Sequence, residues 1–343
     1  MTSHNDHIRT QMIEFCATIG KNPLLVQGAG GNVSWKNKDT LWIKASGTWL
    51  AEADQRDIFV PVNLQALQQA IQQNDFSVTP QLMGAYELKP SIETLLHALM
   101  PQPIVVHLHA IEILAQLVRA NCEDTLKTAL DRSIPWVLVD YHKPGQELAN
   151  AIHEELIRKP NAQVVFMRNH GVVIGASSIQ EITATLTLLT SALQVPVSQS
   201  INVQHAMISK RIEYTPIQDD SLHELAINPH LFDRLAHDWA LYPDHVVFLC
   251  PQAHTYSNWQ QFDADVTANS HDKPELIFIR DQGVFVMPSF QVAKQVQLRC
   301  YLDVLKRQRI DTTLISLTHS QIAELLNWDA EKYRMHLLRE ATQ

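Results

Sequence analysis

The sequence predicts an α/β fold, with helices layered on a central β-sheet, from two observations. Runs rich in β-branched residues, such as PIVVHLHA and QVVFM, alternate along the chain with amphipathic runs, such as AIEILAQLVRA. Of the 343 residues, 45% are hydrophobic and 18% are charged, which is enough apolar material for one large domain or two ordinary ones. We therefore expect a globular protein.

The first half of the chain gives a regular series of elements. Residues 8–19 have helical spacing that Gly20 ends, and the glycine-rich turn of GAGGNVSW precedes a strand at TLWIKASG. Residues 91–100 predict a helix that Ser91 caps and two prolines stop. The later runs predict, in order, a strand at PIVVHLHA, a helix at AIEILAQLVRA, a strand at PWVLVDY, a helix at PGQELANAIHEELIR, a strand pair at AQVVFMRNHGVVIGA and a helix at SIQEITATLTLLTSAL, capped by Ser177 or Ser178.

The organisation changes at residues 195–230, where Pro, Ser, Asn and Asp are frequent and the periodicity weakens. We predict a first domain over residues 1–200, a connecting segment over 201–230 and a smaller C-terminal α/β region over 231–343. The C-terminal region contains the apolar runs HVVFLC and ELIFIRDQGVFVM and a long helix at 291–309.

The C-terminal run RDQGVF echoes the earlier run RNHGVV, and a helix-forming run follows both. If the echo is a degenerate internal repeat, Gln282 takes the place of His170, and HVVFLC replaces VVHLH without a metal ligand. The alternative is a chance likeness of two strand–turn–strand–helix units that share a glycine turn.

Charge and cysteine content exclude several classes of protein. The formal net charge is −9 and no basic stripe is present, which argues against a nucleic-acid partner and favours a small substrate. The four cysteines form no CxxC pair, so neither a disulfide framework nor a thiolate zinc site is indicated. The N-terminus lacks an apolar leader and no run approaches the ~20 residues of a membrane span. We expect a soluble cytoplasmic protein.

Three histidines are the strongest candidates for chemistry. His107 and His109 are two residues apart on a predicted strand, so their side chains point to the same face. His170 lies in a tight Asn-His-Gly turn that presents its ring at a strand end. Three neutral imidazoles leave a coordination position open, as in a catalytic zinc site.

Glu93 and two small turns lie near this predicted cluster. Glu93 precedes the histidine strand, and its carboxylate serves either to complement a helix dipole or as a general base or fourth ligand. The turns of GAGGNVS and ASG offer backbone amides to an anion. Neither GxGxxG nor a P-loop is present, so nucleotide binding has no support.

Six motifs in this order resemble the class II aldolase/adducin family, which includes fuculose- and rhamnulose-phosphate aldolases and ribulose-phosphate epimerases. They are GAGGNVSW, IKASG, KPSIETLLHAL, VVHLHA, DYHKPGQELA and RNHGVVIGAS, spread over roughly residues 8–195. The short PSIETLLHAL version is most similar to the aldolase module of longer bacterial proteins that carry a short-chain dehydrogenase half. No dehydrogenase half is present in this sequence.

The resemblance implies a three-layer α/β/α fold and a metal-dependent lyase, with residues 1–200 as its catalytic domain. His107, His109 and His170 would bind one divalent ion, most simply Zn²⁺ with Mn²⁺, Co²⁺ or Mg²⁺ as alternatives, and Glu93 would be the acid/base. Tyr141 matches a proton donor that acts across a subunit boundary, or is a packed strand-end tyrosine. A homo-oligomer, with a tetramer favoured, is also implied. The residues that match the family's phosphate site are Gly31, Asn32, Ser46, Gly47 and Ser91.

One departure leaves the substrate open. Ile92 stands where the sugar-phosphate aldolases often have a second serine, so either Lys89 compensates as a cation or the substrate carries no phosphate. The resemblance implies cleavage or formation of a carbon–carbon bond in a small ketose or ketose phosphate through a metal-stabilised enediolate. An epimerase, a sugar-acid decarboxylase, a metal-dependent hydrolase and a non-catalytic adducin-like module remain alternatives.

Overall fold

The chain forms two compact units, Met1–Gln194 and Val195–Leu326. The structure, a computed structural model, describes residues 2–130, 134–199, 208–269 and 273–327. Within these ranges, no helix is both long enough and apolar enough to cross a membrane.

The first unit alternates strands and helices, as the sequence predicts. Its strands are β1 (Asn32–Asn37), β2 (Thr40–Lys44), β3 (Phe59–Asn63), β4 (Ile104–Leu108), β5 (Trp136–Val139), β6 (Val164–Met167) and β7 (Gly171–Ala176). Its helices are α1 (Thr2–Gly20), α2 (Leu64–Gln72), α3 (Thr94–Leu99), α4 (Ile111–Leu117), α5 (Cys122–Leu130), α6 (Gln146–Arg158) and α7 (Ile179–Ala192). The Ser178 hydroxyl accepts a hydrogen bond from the Glu181 N–H and so caps α7, one of the two predicted caps.

The seven strands form one sheet in the order β3-β2-β1-β4-β7-β6-β5. Alternate residues of β4 face opposite layers: Val106 packs in a core with residues of α1, α4, α5 and α7, and Val105 packs in a core with residues of α3 and α6. A third core joins β2 and β3 to α2 and α3. The predicted α/β class, with a central sheet between helices, is confirmed.

The second unit is built on a four-stranded sheet in the order β8-β11-β10-β9. Its strands are β8 (Thr215–Pro216), β9 (Thr255–Tyr256), β10 (Leu276–Ile279) and β11 (Gly283–Val286). Its helices are α8 (Glu224–Ile227), α9 (Pro229–Leu235), α10 (Pro243–Leu249), α11 (Trp259–Asn269), α12 (Val292–Leu305) and α13 (His319–Leu326). Seven buried residues, most of them aromatic, form its core cluster: Tyr214, Tyr256, Trp259, Phe262, Ile277, Ile279 and Phe285.

This second sheet has the same strand order and directions as half of the first sheet. β4-β7-β6-β5 and β8-β11-β10-β9 each consist of two antiparallel pairings followed by a parallel one. The turns before β7 and β11 also match, because Asn169 and Asp281 both have left-handed φ angles, of 54° and 59°. The similar sequence runs RNHGVV and RDQGVF therefore form equivalent turns.

The structure differs from the sequence analysis in the second half of the chain. The run HVVFLC lies in α10, which begins at Pro243, so it is not the strand that the sequence analysis matched to VVHLH. A proline at the first helical position is a helix-start signal, and a short apolar run alone does not distinguish strand from helix. The strand equivalent to β4 is the two-residue β8.

The predicted connecting segment is also partly structured. Residues 201–207 lie outside the described residues, but residues 208–230 belong to the second unit, to which they contribute β8 and α8. Because β8 pairs with β11, this segment is part of the second sheet. Two strands that pair across some 70 positions of sequence leave no local pattern from which the pairing could be predicted.

Candidate metal centre

The strand β4 places two histidines on the sheet face that α3 and α6 cover. His107 lies within the strand and His109 just beyond its end, so both side chains point to the same face, as predicted from their spacing. Sheet register places Asn32 of β1 beside His107 on one side and Val173 of β7 on the other. The end of β4 is therefore lined by neighbours from both flanking strands.

The turn between β6 and β7 brings the third histidine to the same place. The left-handed Asn169 turns the chain so that His170 precedes β7 directly. A Cβ on Gly171 would lie 2.5 Å from the Leu108 carbonyl oxygen and 3.1 Å from the His109 ring. Glycine at this position therefore allows the turn to approach the end of β4 closely.

The three imidazoles converge in a buried cluster. One ring nitrogen from each of His107, His109 and His170 lies within 4.8 Å of the others, and the Nε2 atoms of His107 and His109 are 3.1 Å apart. The exposed fractions of the three residues are 0%, 6% and 5%. His107 Nδ1 lies 3.1 Å from the Val172 carbonyl oxygen, which can accept its proton and leave Nε2 facing the cluster.

The Glu93 carboxylate closes the cluster on a fourth side. Its Oε1 lies 3.3 Å from His170 Nε2, and its Oε2 lies 3.5 Å from His107 Nε2. Burial raises the pKa of this carboxyl, but the electrostatic effects of His107 and His170 and a hydrogen bond from Asn32 outweigh burial and lower the pKa to about 2. The group is therefore ionised at neutral pH.

The prediction that Ser91 caps the helix is wrong, because Glu93 occupies the N-cap position of α3. The helix begins at Thr94, so Glu93 is its N-cap residue, and its side chain makes no capping bond. The Ser91 hydroxyl instead accepts a hydrogen bond from the Glu93 N–H, at 3.2 Å, in the turn before the helix. This arrangement leaves the Glu93 carboxylate directed at the histidines.

These four side chains fit a divalent cation. Three imidazole nitrogens and a carboxylate are the ligand types that zinc takes in proteins. Within the described part of the chain, Glu93 Oε1 is a buried oxygen that accepts no hydrogen bond, and a cation would satisfy it. The donor set is therefore chemically complete for a metal ion.

The predicted phosphate residues lie on three segments that meet beside Glu93. Gly31 and Asn32 begin β1, Ser46 and Gly47 follow β2, and Lys89 and Ser91 precede α3. The Ser46 N–H donates to the Lys89 carbonyl at 2.9 Å, which joins the second and third segments. Asn32 joins the first to the third, since its Nδ2 donates to Ser91 Oγ at 3.3 Å.

Tyr141 lies apart from these segments in the sheet order. It follows β5, the edge strand that β6 separates from β7, and its side chain is half-buried. Its predicted role as a proton donor stays a prediction.

Two buried polar residues near the site were missed by the sequence analysis. His97 lies four residues after Glu93 on α3, a spacing that puts two side chains on one helix face and was a usable signal. Lys44 is 2% exposed, and its ammonium group donates to the Ala29 and Thr48 carbonyls at 3.1 and 2.7 Å. Lys44 therefore ties together the loops that flank β1 and β2.

Known proteins match part of the chain. YuxG of Bacillus subtilis, named an uncharacterized oxidoreductase, is 26% identical over 219 residues, which are 59% of this chain and 31% of YuxG. This chain therefore spans about a third of the length of that relative.

Among solved structures, the N-terminal class II aldolase domain of a Thermoplasma acidophilum protein is 24% identical, with a TM-score of 0.46, and the match covers 53% of this chain and 90% of that one. YgbL of Klebsiella pneumoniae is 22% identical, with a TM-score of 0.42, over 55% of this chain and 87% of that one. The family model of the class II aldolase and adducin N-terminal domain matches residues 10–197, more than half of the chain. The chain therefore belongs to the class II aldolase/adducin family.

Proposed function

We propose that this protein is a divalent-metal-dependent lyase that makes or breaks a carbon–carbon bond in a small ketose or ketose phosphate. The observation that carries the proposal is the convergence of His107, His109 and His170 with the ionised Glu93 carboxylate in one buried cluster. A structural role alone does not require three histidines to converge, which disfavours a non-catalytic adducin-like module. Membership of the family supports the same conclusion.

His107, His109 and His170 would hold the metal ion. An all-nitrogen triad favours Zn²⁺, and Mn²⁺, Co²⁺ or Mg²⁺ are alternatives. When bound, such an ion supplies Lewis-acid stabilisation of negative charge on substrate oxygens.

Glu93 would act as the general acid/base. Its carboxylate lies at the edge of the cluster and accepts a hydrogen bond from Asn32 at Oε2, 2.7 Å away. Its other oxygen, Oε1, is the one that accepts no hydrogen bond within the described residues and is therefore available to take a proton from a substrate carbon. Tyr141, if supplied across a subunit boundary, would protonate the carbonyl oxygen of the aldehyde when the carbon–carbon bond forms, and would take the hydroxyl proton back when the bond breaks.

The substrate end that lies away from the metal would rest on the three segments beside Glu93. The exposed Lys89 supplies a cation there, and the turn at Ser46 and Gly47 supplies small residues with a positive φ of 76° at the glycine. Asn32 is less available than its position suggests, because both ends of its amide already bond to protein side chains. Lys89 therefore carries most of the proposed phosphate recognition.

Epimerisation of a ketose phosphate and decarboxylation of a sugar acid would use the same cluster and the same Glu93 chemistry. We also propose that the chain assembles as a homo-oligomer, with a tetramer favoured, so that Tyr141 reaches a neighbouring site. The second unit is, in this proposal, a degenerate copy of half the first sheet that binds no metal.

The Glu93→Gln variant tests the proposal, because glutamine keeps the shape of the side chain and removes its basic oxygen. We expect the variant to retain bound metal and to lose at least about 100-fold in turnover, which is the lower end of the range for an acid/base residue. Products are to be measured on a panel of ketose phosphates and sugar acids, which separates the aldolase, epimerase and decarboxylase alternatives. Glu87→Gln, at an exposed position nearby, is the matched control. Wild-type turnover in Glu93→Gln would contradict the assignment.

A further inference from the structure

A chain of four buried side chains lies behind the Glu93 carboxylate. Ser34 Oγ is 2.7 Å from His97 Nδ1, His97 Nε2 bonds to Asn32 Oδ1, and Asn32 Nδ2 is 2.7 Å from Glu93 Oε2. Ser34 and His97 have no exposed surface, and Asn32 and Glu93 are 4% and 7% exposed. The chain connects the interior of the sheet to the histidine cluster.

The direction of each hydrogen bond follows from the atoms that face one another. Asn32 Nδ2 faces Glu93 Oε2 and Asn32 Oδ1 faces His97 Nε2, so the amide donates to the carboxylate and accepts from the ring through its carbonyl oxygen. That oxygen only accepts, so His97 must carry its proton on Nε2. The Ser34 hydroxyl then donates to the unprotonated Nδ1 of His97. One arrangement of tautomer, amide and hydroxyl satisfies every member.

The surroundings of His97 keep its ring neutral. Burial and the nearby His107 outweigh the opposing effect of Glu93 and lower the pKa of His97 to about 3. A neutral ring has one donor nitrogen and one acceptor nitrogen, as the hydrogen bonds to Asn32 and Ser34 require. His97 would therefore not act as a second acid/base.

Removal of His97 would free the Asn32 amide to rotate. Asn32 pairs with His107 across β1 and β4, so its amide is fixed beside the cluster and has only two useful orientations. Without the donor from His97, the amide oxygen would be buried and unsatisfied, and rotation would turn it towards the Glu93 carboxylate, where two acceptors repel. The carboxylate would then shift.

We propose that His97 is a positioning residue, which acts through Asn32 to hold the Glu93 carboxylate against the histidine cluster. The inference rests on the proposed function insofar as Glu93 is the acid/base. It goes beyond that function in assigning a role to His97. The role requires a hydrogen-bond donor at the position of His97 Nε2.

The kinetic test compares His97→Leu with His97→Gln, because glutamine keeps a donor and leucine does not. We expect His97→Leu to lower kcat by about 10- to 100-fold, the range found for partners of metal-site residues, with KM and metal content near wild type. His97→Gln should recover most of kcat. His237→Leu, at an exposed position, is the control. Equal kcat in wild type and His97→Leu, or equal losses in the leucine and glutamine variants, would overturn the proposal.

A second test, by NMR spectroscopy, does not require a measurable enzyme activity. Long-range ¹H–¹⁵N spectra of the protein labelled at histidine nitrogens should show His97 with a protonated Nε2 and an unprotonated Nδ1. The Asn32 amide protons should exchange slowly in wild type and in His97→Gln, and faster in His97→Leu. A protonated Nδ1, or unchanged Asn32 exchange in His97→Leu, would overturn the proposal even if no substrate is found. Absence of turnover with the expected spectra would contradict the proposed function alone. If His97→Leu does not fold, the spectra of wild type alone give the tautomer test, because a protonated Nδ1 of His97 in wild type would overturn the proposal.

Discussion

The two sheets of this protein share a backbone arrangement and differ in the side chains that it presents. In both sheets, an arginine precedes the left-handed turn residue and donates its backbone N–H to the last residue of the parallel edge strand, β5 or β9. Arg168 donates to the Val139 carbonyl and Arg280 to the Tyr256 carbonyl, each at 2.9 Å. In both, the left-handed residue itself donates to the last turns of a helix, α4 or α8. The turn that carries His170 in the first sheet carries Gln282 in the second.

Sheet register extends the comparison to the other two histidines. His107 pairs with Val173, two residues after Gly171, and Pro216 pairs with Phe285, two residues after Gly283. Pro216 therefore stands in the place of His107, and Gln218, two residues later, in the place of His109. All three histidine positions of the first sheet hold a residue that does not normally bind zinc. The comparison teaches that the two sheets share a backbone geometry and that the side chains alone distinguish the candidate metal centre from its counterpart.

The largest difference between the sheets should appear when equivalent turn residues are changed. His170→Ala removes one of the three proposed nitrogen ligands, so we expect metal affinity to fall by more than the roughly 100-fold that loss of an outer partner of a ligand costs. Gln282→Ala should leave the affinity unchanged. Calorimetric titration of Zn²⁺ into both metal-free variants measures the difference. Similar losses in the two variants would break the distinction between the sheets.

Substitution of the glycine after each turn should distinguish an effect on stability alone from an effect on both stability and metal binding. A Cβ on Gly171 would press on the rings of His107 and His109 at 3.2 and 3.1 Å, so Gly171→Ala should cost about 1–3 kcal/mol of unfolding free energy and also weaken metal binding. Gly283→Ala should cost about 1–3 kcal/mol through its positive φ of 121°, without an effect on the metal. Denaturant unfolding and metal titration of both variants measure the two effects. Unaltered metal affinity in Gly171→Ala would count against a tightly packed centre.

The buried histidines of the two units have similarly lowered pKa values and differ in their contacts. His97 has hydrogen bonds at both ring nitrogens, whereas in the described residues His245 has none and packs against Trp239 and Tyr301. Burial lowers the pKa of His245 to about 3. The unfolded chain therefore binds a proton below pH 6.5 that the folded chain does not, and stability falls with pH between about 6.5 and 3.

The His245→Phe variant lacks the side chain that takes up this proton in the unfolded chain. Relative to the variant, wild type should lose about 1.4 kcal/mol of unfolding free energy for each pH unit below 6.5. Urea unfolding of both proteins at pH 7.5, 6.5 and 5.5 measures the slopes. Parallel slopes would mean that His245 is protonated in the folded protein or is accessible to water.

Much of the candidate centre could be predicted because it depends on local geometry. The two-residue spacing of His107 and His109 fixes their common face whatever the strand pairs with, and the Asn-His-Gly turn marks a strand end by its composition. Ser178 could be identified as a helix cap for the same reason. Each inference needed only a short window of sequence.

The contacts between distant segments could not be predicted. The pairing of Asn32 with His107 depends on sheet register between residues 75 positions apart. The sequence analysis therefore gave Asn32 only a predicted phosphate role, which stays a prediction, and missed the bonds of its amide to Glu93 and His97. In the second unit, the two-residue β8 carries no hydrophobic alternation, so its equivalence to β4 could be recognised only from its pairing with β11.

The number of metal ions bound per chain tests the central claim most directly. The full-length protein is to be saturated with Zn²⁺, freed of excess ion and measured by inductively coupled plasma mass spectrometry against protein concentration. The account predicts one ion per chain, held by the first sheet and absent from the His107→Ala variant. No ion, or two ions per chain, or one ion that persists in His107→Ala, would contradict it.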